Sequence, residues 1–203
     1  MNAPTLADLV DESEIARLAA EYGPFPHRQV EIEMSEATFD FWWNKIAVKR
    51  NRRGEVVLAI QRPDGKVLLH TKRFYPSGIY RLPTGGVHLG EAVLSGALRE
   101  AKEETGLDTR ISGPAGTVEY AFRAGKLSMA FVSYVLLAQA GDATPLPLDE
   151  DEQISGFRYV PVADLRLVAA ALRQLKDRWA DWGAFRAPPH DMVADALLES
   201  PSG

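Results

Sequence analysis

Apolar residues change their spacing several times along the 203-residue chain, and each change predicts an element. Between residues 5 and 21, Leu6, Leu9, Val10, Ile15, Leu18 and Ala19 recur at helical intervals with acids between them. That predicts one amphipathic helix, ended near Gly23-Pro24. Residues 27–34 alternate Val30, Ile32 and Met34 with Glu31 and Glu33, the pattern of a half-buried strand. Residues 39–46 concentrate Phe39, Phe41, Trp42 and Trp43, which predicts packing against the main domain or a second copy of the chain.

From residue 55 the pattern becomes β-rich. Runs at 55–61 and 66–71 flank Pro63-Asp64-Gly65, whose turn chemistry predicts a hairpin. A loop over 73–80 leads through 81–86 to a helix over about 91–105, which Gly106 can end with positive φ. Two further β-runs, 116–122 and 126–137, join at Ala124-Gly125. After an acidic, proline-bearing loop come a strand at 154–160 and a helix from 162 to about 179. Beyond Gly183 only 192–198 reads as helical. Strands on both sides of a helix, with another helix at the end, predict an α/β fold with a mixed sheet covered by helices.

Composition narrows the function. With 46% hydrophobic and 25% charged residues the chain has material for a sizeable core. The absence of cysteine excludes disulfides, Cys-ligated metals and thiol nucleophiles. A formal charge of −5 argues against a protein that coats nucleic acid, but not against a small anionic substrate. No run approaches the roughly 20 apolar residues of a membrane span, and the acidic start does not resemble a secretory signal, so a cytoplasmic location is expected.

The chemistry concentrates in residues 85–107, GGVHLGEAVLSGALREAKEETGL. Glu100, Glu103 and Glu104 are spaced i, i+3, i+4, which projects three carboxylates from one helix face. Their repulsion calls for an offsetting charge, and a hard divalent cation with oxygen ligands is the simplest. Leu94, Leu98 and Ala101 are expected on the opposite face, docking the helix on the sheet. Gly85-Gly86 permits close backbone approach to a ligand.

The same stretch resembles the signature of the Nudix hydrolases: Gly85, Glu91, Arg99, Glu100, Glu103, Glu104, Gly106 and Leu107 all fit, and Ala101 is a small residue at an aliphatic place. The resemblance implies an α/β/α sandwich over 54–183, leaving 1–53 as an N-terminal extension and 184–203 as a C-terminal helical tail. It implies Mg²⁺ or Mn²⁺ held by Glu100, Glu103, Glu104 and the Thr84 carbonyl, with Gly85, Glu91 and Gly106 structural in the motif. Arg99 is expected to hold a neighbouring carboxylate through a charge-assisted bond, and Glu91, near the helix N-terminus, to interact favourably with the helix dipole. The general base is Glu100 or a carboxylate of the later acidic loop, Glu152 before Glu150.

Arg62, Lys72, Arg73 and Arg81 are candidates for phosphate oxygens, and Tyr75, Tyr80, Tyr120 and Phe122 for base stacking. His27, His70, His88 and His190 have no metal-ligand spacing, and His88 is expected to be exposed. The basic run Lys45, Lys49, Arg50, Arg52, Arg53 reads as a solvated edge, or as a surface for an RNA 5′ end or polyphosphate. The expected reaction is hydrolysis of a diphosphate linkage in a nucleoside diphosphate joined to another group, such as a sugar nucleotide or dinucleotide. A nucleoside triphosphate or RNA 5′-end pyrophosphohydrolase and a non-catalytic nucleotide sensor are the alternatives. The N-terminal extension is a candidate homodimer surface.

Overall fold

A computed structural model describes residues 3–49 and 51–198. Its strands are His27–Glu33 (β1), Gly54–Gln61 (β2), Val67–Lys72 (β3), Thr84–Val87 (β4), Thr109–Ala124 (β5), Leu127–Ala140 (β6) and Ile154–Val160 (β7). Its helices are Leu6–Leu9 (α1), Glu12–Tyr22 (α2), Glu36–Trp43 (α3), Val93–Thr105 (α4), Leu165–Arg173 (α5), Ala180–Arg186 (α6) and Pro188–Leu198 (α7). The strands form one mixed sheet in the order β1-β5-β6-β2-β3-β7, with β4 paired to β2. β1 with β5 and β2 with β6 are parallel; the other pairs are antiparallel.

Helices cover both faces, completing the expected α/β/α sandwich. On one face Trp42 of α3 and Phe185 of α6 pack against Phe131, with ring centroids 5.2 and 5.5 Å away. The Tyr120 hydroxyl on that face donates to the Phe185 carbonyl at 3.1 Å. Tyr134, an odd number of residues from Phe131, faces the other way. Its hydroxyl donates to the Leu9 carbonyl at 3.1 Å, placing α1 on the opposite face.

The hairpin predicted around Pro63-Asp64-Gly65 opens into a fork. β2 and β3 are in register only at Gln61 and Val67. Beyond that point the approach to the motif fills the gap: β4 pairs with β2, and Arg81 exchanges backbone hydrogen bonds of 2.9 and 3.0 Å with His70. The motif is thereby seated within the sheet.

Both ends of the chain differ from expectation. The single helix over 5–21 is two, because Asp11 caps α2 by accepting from the amides of Ser13 and Glu14 at 3.0 and 3.1 Å. α3 runs into a π-helical turn, Asn44–Val48. The helix expected over 162–179 ends at Arg173 and is followed by the separate α6. Helix also begins earlier than 192: Pro188 and Pro189 open α7, where a missing N–H costs nothing. Residues 184–198 are not a loose tail, since Pro188, Pro189, His190, Met192, Val193 and Ala194 are buried. Residues 199–203 lie outside the described residues.

His190 ties α7 to the motif: Nε2 accepts from the Leu82 amide at 3.1 Å, and Nδ1 lies 2.9 Å from the Arg186 carbonyl. Burial lowers its pKa from 6.5 to about 3, so the folded protein keeps the ring neutral. The unfolded chain binds a proton at His190 below pH 6.5 that the folded chain refuses until about pH 3. This contribution to stability is therefore present above pH 6.5 and is lost as pH falls through that window, at up to about 1.4 kcal/mol per pH unit. Urea midpoints measured from pH 7 to 4 should fall less steeply for His190→Gln than for the unaltered chain.

Candidate functional site

The motif helix α4 docks on β2, β4 and β5 through a stripe that includes Val93, Gly96, Ala97, Ala101 and Glu104. The expectation that Leu94, Leu98 and Ala101 form the docked face is corrected. Leu98 is 43% exposed, and two of the acids lie on the docked stripe itself. Small residues at 96, 97 and 101 let the helix approach the sheet closely, which carries Glu100 and Glu104 into the interior. Ala101 is fully buried, so its small size serves close packing.

Each acid is held differently. Glu104 has no exposed surface; its Oε2 accepts from the Thr84 amide at 2.9 Å. Its Oε1 lies 3.2 Å from the Lys72 ammonium but has no hydrogen-bond partner. Burial raises its pKa to about 7, against the pull of Arg81 and Lys72. Glu100 is also buried, which raises its pKa, and it accepts from Arg99 at 2.8 Å. Its carboxyl group occupies the space over Gly85, where a Cβ would lie 1.7 Å from the carboxyl carbon. Any side chain at 85 would expel Glu100. Glu103 stands at the rim and accepts from Arg99 at 3.0 Å.

Arg99 gathers this arrangement. Beyond Glu100 and Glu103 it donates to both oxygens of Glu91, at 2.9 and 3.0 Å, and to the Gly86 carbonyl at 2.9 Å. The Arg99 bonds hold the Glu91 carboxyl below its usual range, and a Glu91 oxygen also accepts from the His88 amide at 2.9 Å. Gly106 ends the helix at φ +68°, as its position predicts.

Two further supports come from distant segments. Lys72 ends β3, and its ammonium pairs with both Glu104 and Glu152. The acidic loop is pinned to α4, the Leu148 amide donating to the Glu103 carbonyl at 2.9 Å. On the other side, Ala92 cannot cap α4, and Glu14 of α2 does so instead. One Glu14 oxygen accepts from the Val93 amide at 2.6 Å, and the other pairs with Arg53. Arg53 donates in turn to the Glu91 carbonyl at 2.9 Å and the Tyr134 hydroxyl at 3.2 Å.

These groups open onto a cleft of about 810 Å³. The motif side contributes Thr84, Gly85, Gly86, Glu100, Lys72, Arg81 and Glu152; the facing walls come from α3, the loop at Phe74-Tyr75, and Arg178, Trp179, Trp182 and Arg186.

Residues 50–183 match the profile of the NUDIX domain. The chain belongs to the Nudix family. Nudix hydrolase 6 of Arabidopsis thaliana is 42% identical over 60 residues, which are 30% of this chain and 19% of that one. The putative mutator protein MutT4 of Mycobacterium tuberculosis is 28% identical over 121 residues, 55% and 48% of the respective chains. The matched stretches thus span no more than about half of these relatives. A C. elegans Ap4A hydrolase binary complex superposes with a TM-score of 0.48 at 19% identity, over 72% of this chain and 98% of that one. An E. coli dihydroneopterin triphosphate pyrophosphohydrolase gives 0.45 at 16%, over 74% and 98%.

The Nudix box is thus flanked by some of the residues expected beside it and not by others. Lys72, Arg81, Tyr75 and Glu152 line the cleft. Arg81 is committed to the Tyr75 hydroxyl at 2.7 Å, the Leu82 carbonyl at 2.8 Å and the Thr84 hydroxyl. Arg62 is elsewhere: it closes the β2–β3 turn on Asp64 at 2.6 Å and lies over Tyr159. Arg73 is exposed and outside the cleft lining, as is Glu150. Tyr120 and Phe122 are core residues that no base can reach, and Tyr80 packs under Arg158. His88 is exposed as expected.

The basic run is not one solvated edge. Arg53 is buried, Lys45 and Arg52 line the cleft, Lys49 is exposed, and Arg50 lies outside the described residues. Trp42 is spent in the core of its own chain, which removes it from any dimer surface. Sequence reasoning missed Phe41, Arg178, Trp179 and Trp182, because no local spacing connects α3 and α6 with the box. Among the described residues no helix is long and apolar enough to cross a membrane.

The Glu14–Arg53 pair is about nine-tenths buried on both sides, so breaking it leaves an uncompensated charge. Glu14→Ala should cost about 3 kcal/mol in urea unfolding, while exposed Glu12→Ala should change stability by less than about 0.5 kcal/mol.

Proposed function

We propose that the chain is a divalent-metal-dependent pyrophosphohydrolase that cleaves the diphosphate linkage of a nucleoside diphosphate joined to another moiety. The observation that carries this reading is the fully buried Glu104, one oxygen of which is met only by the Lys72 ammonium at 3.2 Å and by no well-formed hydrogen bond, beside Glu100 at the mouth of a cation- and aromatic-lined cleft. A buried carboxylate oxygen without a well-formed hydrogen bond is costly, and a hard cation relieves it. The donors fit Mg²⁺ or Mn²⁺ in kind: Glu100, Glu103, Glu104 and the Thr84 carbonyl would hold it. As the side chains stand, no three His, Asp or Glu among the described residues are grouped to hold a metal ion, and Arg99 and Lys72 balance the charge. When bound, the cation supplies charge withdrawal from the phosphate oxygens and acidifies water.

The chain's own residues do the rest. Arg99 fixes Glu100 and Glu103 so that the carboxylates need not reorganise during the reaction. Gly85 gives Glu100 its place, and Arg81 holds Thr84 through the hydroxyl. Glu152 is the favoured general base. Burial pushes its pKa up, but the Lys72 pairing outweighs that and brings it below the usual value, so it stays ionised, with Lys72 on one oxygen. Glu100 is the other candidate; burial raises its pKa, and Arg99 engages it directly.

One observation favours a second reading. Each box acid already has a cation partner, the arrangement a nucleotide sensor without turnover would keep. Product release from a panel of sugar nucleotides, dinucleotides, nucleoside triphosphates and 5′-triphosphate RNA, with and without Mg²⁺, separates the two. The hydrolase reading predicts turnover that chelation abolishes and that Glu103→Gln lowers about 100-fold or more. Binding without turnover of any of them, unchanged in Glu103→Gln, leaves only the sensor.

A further inference from the structure

Most cations of the cleft already have work inside the protein. Lys72 is paired with Glu104 and Glu152, and Arg186 with both oxygens of Glu55 at 2.7 Å. Arg81 is bonded to Tyr75, Leu82 and Thr84. Lys45 and Arg52 are different. Neither has an acidic partner among the described residues, and the Nε of Arg52 is buried with no hydrogen bond. They are also close enough to repel: burial lowers the Lys45 pKa first, and Arg52 and Arg186 lower it further, against the weaker pull of Glu152 and Glu55.

Two neighbouring like charges with no acid in ion-pair contact are unfavourable, and an anion that joins them relieves the repulsion. The Arg52 guanidinium lies against Gly86, where a Cβ would come within 2.8 Å of its carbon, so Arg52 sits beside the box, and Lys45 lines the same cleft. Phe41 stands next to it, half exposed, with the Lys45 ammonium 4.5 Å from its ring centre. Phe41 and Lys45 belong to α3 and its π-helical turn, which precede the matched domain.

We propose that Lys45 and Arg52 bind a phosphate that lies outside the cleaved linkage, and that Phe41 stacks on the planar group this phosphate carries. The substrate class is then a nucleoside polyphosphate of three or more phosphates, capped at its far end by a second base. The proposal rests on the pyrophosphohydrolase reading for the reaction, but not for binding, because the subsite needs no metal. A sugar nucleotide supplies neither a third phosphate for the two cations nor a second planar group for Phe41. A nucleoside triphosphate offers the charge but lacks the second ring.

Quenching of intrinsic tryptophan fluorescence, with EDTA present to prevent turnover, tests this with diadenosine tetraphosphate, ATP and ADP-glucose as probes. The unaltered chain should bind the tetraphosphate about ten-fold or more tighter than ADP-glucose, with ATP between them. Lys45→Gln and Phe41→Ala should each cut that preference to about three-fold or less at an unchanged melting temperature. Lys45→Gln should weaken ATP as well, whereas Phe41→Ala should spare it. Equal affinity for the probes, no binding of the tetraphosphate, or a preference that survives both substitutions overturns the subsite. If the preference holds and both variants reduce it, but no probe is hydrolysed once Mg²⁺ is restored, the subsite stands and the hydrolase reading falls.

Discussion

Glu104 is a carboxylate with no exposed surface, and much of the structure follows from bearing that charge. Its own helix could not carry it inward without the small residues Gly96, Ala97 and Ala101, which allow close docking on the sheet. The sheet in turn opens between β2 and β3 so that the Thr84 amide can meet one oxygen. Lys72, at the end of β3, brings an ammonium to the other. Removing Lys72 would strip this buried carboxylate of its ammonium partner, a strongly destabilising change.

The same constraint spreads outward. Glu100 fits only because residue 85 has no side chain, and Arg99 distributes its donors among three carboxylates and a backbone carbonyl. The N-terminal segment is part of this frame. Glu14 caps α4 where Ala92 cannot, and Arg53 ties that cap to Glu91 and Tyr134. At the other end, His190 holds the Leu82 amide just before β4. Segments that precede and follow the box therefore fix its geometry.

Much of this was legible in the sequence. The carboxylate spacing, the glycine at the helix end and the strand at 154–160 follow from local rules, and the structure has each of them. The face on which α4 docks was not legible, because apolar periodicity favours Leu98 over a glutamate and cannot anticipate a cation waiting inside. The cleft wall was not legible either. Phe41 and Trp179 lie far apart in sequence and share the cleft only through the topology of the sheet. Arg62 misled for a related reason: nearness in sequence to the box counted for less than a turn that locked the side chain onto Asp64.

Titration with Mn²⁺, followed by the loss of its free-ion electron paramagnetic resonance signal, tests whether the buried acids are a metal site. The account predicts saturable binding to the unaltered chain and a loss of affinity of about ten-fold or more in Glu104→Gln. Equal Mn²⁺ affinity in the two proteins, or no saturable binding to either, would contradict it.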